Sequence, residues 1–166
     1  MGMNTAFLAE LKHEAATTRK VLERIPESTW EWKPHERSMS MLRLATHVAE
    51  MFSWIKTTVE TPELDFAAGN YEPFVPKSSQ ELLDYFDKHI TEAGEALESA
   101  SDEGLMQNWT LRNGEQVYFT MLKVAVVRSF CFNHIFHHRG QLTVYLRLNE
   151  IPVPEIYGPS ADEGKM

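Results

Sequence analysis

Three of the seven histidines in this 166-residue chain fall in one run, Cys131-Phe132-Asn133-His134-Ile135-Phe136-His137-His138-Arg139-Gly140-Gln141. His134 and His138 are four residues apart. On an α-helix that spacing stacks two imidazoles one turn apart on a single face. Neutral imidazole nitrogens are borderline-soft donors suited to Zn, Ni, Cu or Fe. Two ligands make a weak site, so a third donor is expected, and His47 in Leu44-Ala45-Thr46-His47-Val48-Ala49-Glu50 is the candidate. The bland alternative is a pair of hydrogen-bonded core histidines. Either way, two polar rings on a largely apolar helix require partners, and a cation or two well-placed acceptors would serve.

The elements that must position these rings follow from periodicity. Leu8, Leu11, Ala15, Thr18, Leu22 and Ile25 mark a first helix over 4–24, ended by Pro26. A connection over 26–38 carries Trp30, Trp32 and Pro34. A second helix is predicted over 40–59, capped by Ser38 or Ser40. One of its stripes is Met41, Ala45, Val48, Phe52, Ile55 and Val59; the adjacent one is Leu44, His47, Met51 and Trp54. His47 therefore sits on an apolar-flanked face, with Glu50 one turn on. The loop over 60–77 holds Phe66, Tyr71 and Phe74, aromatics that suggest a packed cover.

A third helix is predicted over 78–100, with Ser78 and Glu81 spaced for a capping box and His89 beside its apolar stripe. Trp109-Thr110-Leu111-Arg112 alternates, and Asn113-Gly114 is a turn signal, so a small β-ribbon is expected near 109–119. A fourth helix is predicted over 118–148. Val124, Val127, Cys131, His134, His138, Leu142 and Tyr145 define one face, and Val126, Phe130, Ile135 and Phe136 cover much of the rest. That excess of apolar surface predicts a two-fold homodimer. The tail over 151–162 has three prolines and reads as extended. The expected fold is all-α: a four-helix bundle with long connections, forming a single domain over 1–166.

Composition narrows the function. The formal net charge is -8 and basic clusters are absent, so no nucleic-acid partner is expected. No apolar stretch is long enough to span a bilayer, and the N-terminal residues lack a secretory pattern. No membrane partner is expected, and the compartment expected is the cytoplasm. The single cysteine, Cys131, excludes an intramolecular disulfide and a multi-cysteine zinc site.

Taken together, His134-Ile135-Phe136-His137-His138-Arg139-Gly140-Gln141, the upstream Leu44-Ala45-Thr46-His47, Trp32-Lys33-Pro34 and the closing Pro152-Val153-Pro154-Glu155-Ile156-Tyr157-Gly158 resemble the DinB/YfiT-like family. The resemblance spans nearly the whole chain. It implies a four-helix bundle, commonly dimeric, with a divalent metal (Zn, Ni or Fe) on three histidines, which fall here at His47, His134 and His138. It also implies a choice of activities, including transferases for low-molecular-weight thiols, thiol-dependent isomerases and metal-dependent hydrolases.

Three protein ligands would leave positions for substrate or water, as at catalytic rather than structural metal sites. Ile135 stands where a zincin protease has its glutamate, which disfavours that mechanism. Glu50 is the candidate base, with a solvated helix charge as the alternative. Gln141 and Tyr145 are candidates to orient a ligand, and Arg139 to pair with a carboxylate. Trp30, Trp32, Trp54 and Phe74 could wall a pocket. Cys131 reads as core and His137 as pointing away from His138. Two function classes remain beside a plain structural bundle. One is a metal-dependent enzyme acting on a small molecule, with a low-molecular-weight thiol as co-substrate. The other is a non-catalytic metal- or ligand-binding protein linked to stress.

Overall fold

The structure is a computed structural model that describes residues 2–69 and 71–164. Four rods form a helical bundle: α1 (Met3–Glu23), a broken rod of α2 (Met41–Glu50) and α3 (Ser53–Glu60), α4 (Ser79–Ser99), and a last rod ending in α7 (Asn133–Leu148). Their facing stripes merge into one core that includes Leu11, Leu22, Met41, Leu44, Phe52, Phe86, Phe132 and Leu142. Ser40 caps α2 by accepting from Arg43 N at 3.3 Å, and Ser78 caps α4 by accepting from Glu81 N at 3.2 Å. Glu81 reaches back to the backbone N–H of Lys77 at 2.8 Å, one residue earlier than a standard capping box.

The second rod differs from its prediction. It breaks at Met51 and Phe52, both fully buried, so α2 and α3 are separate helices. Burying both side chains fixes the bend from the core side; no proline or glycine marks it in sequence.

A short α5 (Asp102–Leu105) leads into the ribbon, β2 (Asn108–Asn113) and β3 (Gln116–Leu122). These strands pair antiparallel around Gly114, whose φ of 59° suits a residue without Cβ. The register slips between Leu111 and Arg112. A third strand, β1 (Glu63–Asp65), was not anticipated and pairs parallel to β2. Arg112 fastens it by binding Glu63 and Asp65, with nitrogen–oxygen distances of 2.6 and 2.7 Å.

The last rod begins at Lys123, later than the predicted 118, because β3 continues through Leu122. It runs through α6 (Lys123–Ala125) and a π-helical segment, Val126–Phe132, before α7. Its excess apolar surface is partly covered within the chain. Val126 and Phe130 pack with Trp109, Leu111, Phe119 and Met121 of the sheet. What stays outside is smaller than the sequence suggested, and Val144 and Leu148 are its exposed apolar members on α7. Among the described residues, no helix is long and apolar enough to cross a membrane.

Candidate metal centre

The three histidines predicted as ligands come together. α2 supplies His47; α7 supplies His134 and His138 one turn apart. Ring centroids are 5.4 Å apart for His47 and His134, 4.8 Å for His47 and His138, and 4.7 Å for His134 and His138. One nitrogen from each ring lies within 4.8 Å of the others. The ligating nitrogens of imidazoles that share a cation are at most about 4.2 Å apart, twice a metal–nitrogen bond. Small ring rotations would close the group on an ion.

Local structure explains this aim. In an unbroken α-helix, Cys131 would share a face with His134 and His138. Here Cys131 is fully buried beside Thr58 of α3, with Sγ 3.8 Å from the hydroxyl, while both imidazoles are only half-buried. The π-helical turns end at Phe132 and reset the phase just before the histidines, a device often found at functional sites.

The electrostatics suit a cation. Burial, then the neighbouring His138, Arg43 and His134, push His47 down to about 4. Burial, then His138 and His137, push His134 down to about 4. Burial also lowers His138, against a raising contribution from Gln141. Neutral imidazole is the form that ligates a metal, so the rings are in the required state at neutral pH. Nδ1 of His138 lies 2.7 Å from Oε1 of Gln141. With that nitrogen donating to the amide oxygen, Nε2 keeps its lone pair for an ion. Nδ1 of His47 is buried with no hydrogen-bond partner among the described residues. A buried orphan nitrogen beside two further imidazoles fits a cation better than a hydrogen-bonded core.

A cleft of about 400 Å³ adjoins His47 and is lined also by Arg43, Glu50, Trp54, Leu64, Phe66 and Tyr71. Trp54 stacks on Phe130 with centroids 5.0 Å apart and meets His47 edge-on at 6.1 Å. Glu50, 7% exposed, accepts from the Tyr71 hydroxyl at 2.7 Å and lies 3.9 Å from Arg43 Nη1. Arg43 Nη2 donates to the same hydroxyl at 3.2 Å.

Other sequence-based candidates fall elsewhere. Trp32 packs edge-on against Tyr145 at 5.3 Å, and Phe74 stacks on Tyr85 at 4.2 Å. Tyr145 donates to Met39 O at 3.3 Å and orients nothing at the imidazoles. Arg139 is buried in an ion pair with Glu14 at 2.7 Å. His137 is exposed. Burial pushes Cys131 up to about 12, with the Thr58 contact opposing, which removes it as a nucleophile. Sequence reasoning missed Arg43 and the pairing role of Tyr71. Arg43 stands four residues before His47, so helical spacing already placed it on the same face.

A helical bundle with three convergent imidazoles, one of them in the wall of a cleft, defines a class of candidate metal-site proteins. This chain belongs to the DinB family: the model of that family matches residues 1–165. The chain is 27% identical to the uncharacterized protein YrdA of Bacillus subtilis over 157 residues, covering 95% of this chain and 89% of that one. Its fold is similar to that of a DinB-like protein of Bacillus subtilis, YjoA, with TM-score 0.69 and 18% identity over 90% of this chain and 95% of that one. A DinB-like protein of Bacillus cereus gives TM-score 0.69 and 23% identity over 91% and 95%.

Proposed function

We propose that the protein is a metal-dependent enzyme acting on a small molecule, with a divalent cation (Zn, Ni or Fe) held by His47, His134 and His138. The chemistry that fits best is S-transfer from a low-molecular-weight thiol, or hydrolysis. The observation that carries this reading is a three-imidazole cluster, of which His47 also lines a cleft of about 400 Å³. A bound divalent ion would supply Lewis acidity toward a thiol, a water or a carbonyl oxygen.

The chain's own residues do the rest. Gln141 holds the His138 tautomer. Trp54, Leu64 and Phe66 give the cleft apolar walls that keep water from a bound substrate. Glu50 is the acceptor for a proton released there, and Tyr71 fixes its carboxylate in the cleft wall. The homodimer expected from the sequence remains part of this reading, with Val144 and Leu148 exposed four residues apart on α7. Sedimentation of the purified protein checks it.

A second reading is a non-catalytic binding protein. The observation favouring it is that Glu50 is already engaged by Tyr71 and faces Arg43. Elemental analysis of protein purified without an affinity tag separates these from a plain structural bundle. One divalent ion per chain, lost in His47→Ala, is expected. Metal-dependent turnover across electrophile-plus-thiol, ester and amide panels, abolished in His138→Ala, is expected of the enzyme and not of the binder. Full turnover after complete metal removal would overturn the enzymatic reading.

A further inference from the structure

We infer that the cleft takes ligands carrying a carboxylate one helical turn from their metal-binding atom, and that Arg43 is the anchor for that carboxylate. This rests on the metal-site reading above. Arg43 and His47 are four residues apart on α2, which puts their Cβ atoms about 5–6 Å apart on one face of the helix. Both side chains line the cleft.

The guanidinium is incompletely used. Nη1 has no hydrogen-bond partner among the described residues, since the Glu50 oxygen at 3.9 Å is beyond hydrogen-bond reach. Nη2 has only the Tyr71 hydroxyl, at 3.2 Å. Two N–H arms of a planar fork suit a bidentate carboxylate. Tyr71 is 56% exposed on the connection between β1 and α4. Its phenol oxygen holds the acceptor position that a ligand carboxylate would take.

The charge of a bound metal points the same way. Arg112 offsets one of the two charges of Glu63 and Asp65, and Arg43 offsets Glu50. Three neutral imidazoles would leave the charge of a divalent ion uncompensated, so an anionic ligand is favoured over a cationic one.

The test uses full-length protein loaded with Co(II), titrated with 3-mercaptopropionate or with its neutral isostere 3-mercaptopropionamide, and followed by sulfur-to-cobalt charge-transfer absorption. In the unmodified protein the carboxylate thiol should bind about tenfold more tightly or better, as one charge-assisted contact implies. In Arg43→Gln the ratio should fall several-fold toward the value set by cobalt alone, and Arg43→Lys should restore part of it. Cobalt stoichiometry and melting temperature of each variant exclude misfolding as the cause. An unchanged ratio in Arg43→Gln, with cobalt and both thiols still bound, would overturn this inference and leave the metal site standing. Failure of the unmodified protein to take up cobalt would overturn both.

Discussion

Nδ1 of His138 lies 2.7 Å from Oε1 of Gln141, one turn further along α7, so the amide selects which imidazole nitrogen faces the cluster. Replacing Gln141 by Leu keeps the size of the side chain and deletes the acceptor. Gln141 is exposed, so the fold should be unaffected. Metal affinity should drop about 10- to 100-fold, read by competition with a chromophoric chelator. A loss of melting temperature in the metal-free variant would argue instead for a structural role.

Metal removal has its own signature. An ion that binds only the folded chain stabilises it by about 2.7 kcal/mol at a free concentration 100 times the dissociation constant. Adding a strong chelator should therefore lower the melting temperature of unmodified protein and leave His134→Ala unmoved.

Cys131 should resist thiol reagents in the native state. It is fully buried, and its thiol is pushed up to about 12. Labelling should appear only in denaturant, with the unfolding transition. Rapid labelling of native protein would contradict the packing described for Cys131 and Thr58.

The ion pair of Arg139 and Glu14 ties α7 to α1. The two residues are 2% and 4% exposed, and Tyr157 donates to the same carboxylate at 2.9 Å. Arg139→Met leaves Glu14 buried without its cation and should cost about 3–5 kcal/mol in denaturant unfolding. The double variant Arg139→Met, Glu14→Gln should recover a large part of that loss.

His89 gives a pH dependence away from the candidate site. Burial lowers its pKa from 6.5, with Glu92 opposing. Above 6.5 both folded and unfolded chains carry it neutral. As pH falls below 6.5, the unfolded chain takes up a proton that the folded chain resists, so stability drops until the folded value is passed. His89→Leu should flatten the decline in melting temperature between pH 7.5 and 5.

Much of this was legible because local pattern and tertiary demand agree. The Ser40 and Ser78 caps, the stripes of α1 and α4, and the turn at Gly114 are each set by residues within a few positions of one another. The imidazole cluster was legible because an i, i+4 pair on one helix leaves little freedom, and His47 lay on the apolar face of α2. Features set by distant contacts were not. The break at Met51–Phe52 is held by core packing, and β1 is three residues long and exists through its pairing with β2. Arg43 and Tyr71 meet across a loop, so only their separate positions could be read.

The widened coil at Val126–Phe132 couples the length of the last rod to the aim of its rings. Excising Ser129, an exposed residue, would let that stretch tighten into ordinary α-helix. Six α-helical residues sweep about the same arc as seven in the wider coil, so the rod would still form and the rings beyond it would keep their aim. Excising Asn133 instead, an exposed residue of the α-helical stretch, would turn both rings by roughly a quarter of a revolution relative to Cys131. That protein should remain helical by circular dichroism yet lose its grip on divalent ions.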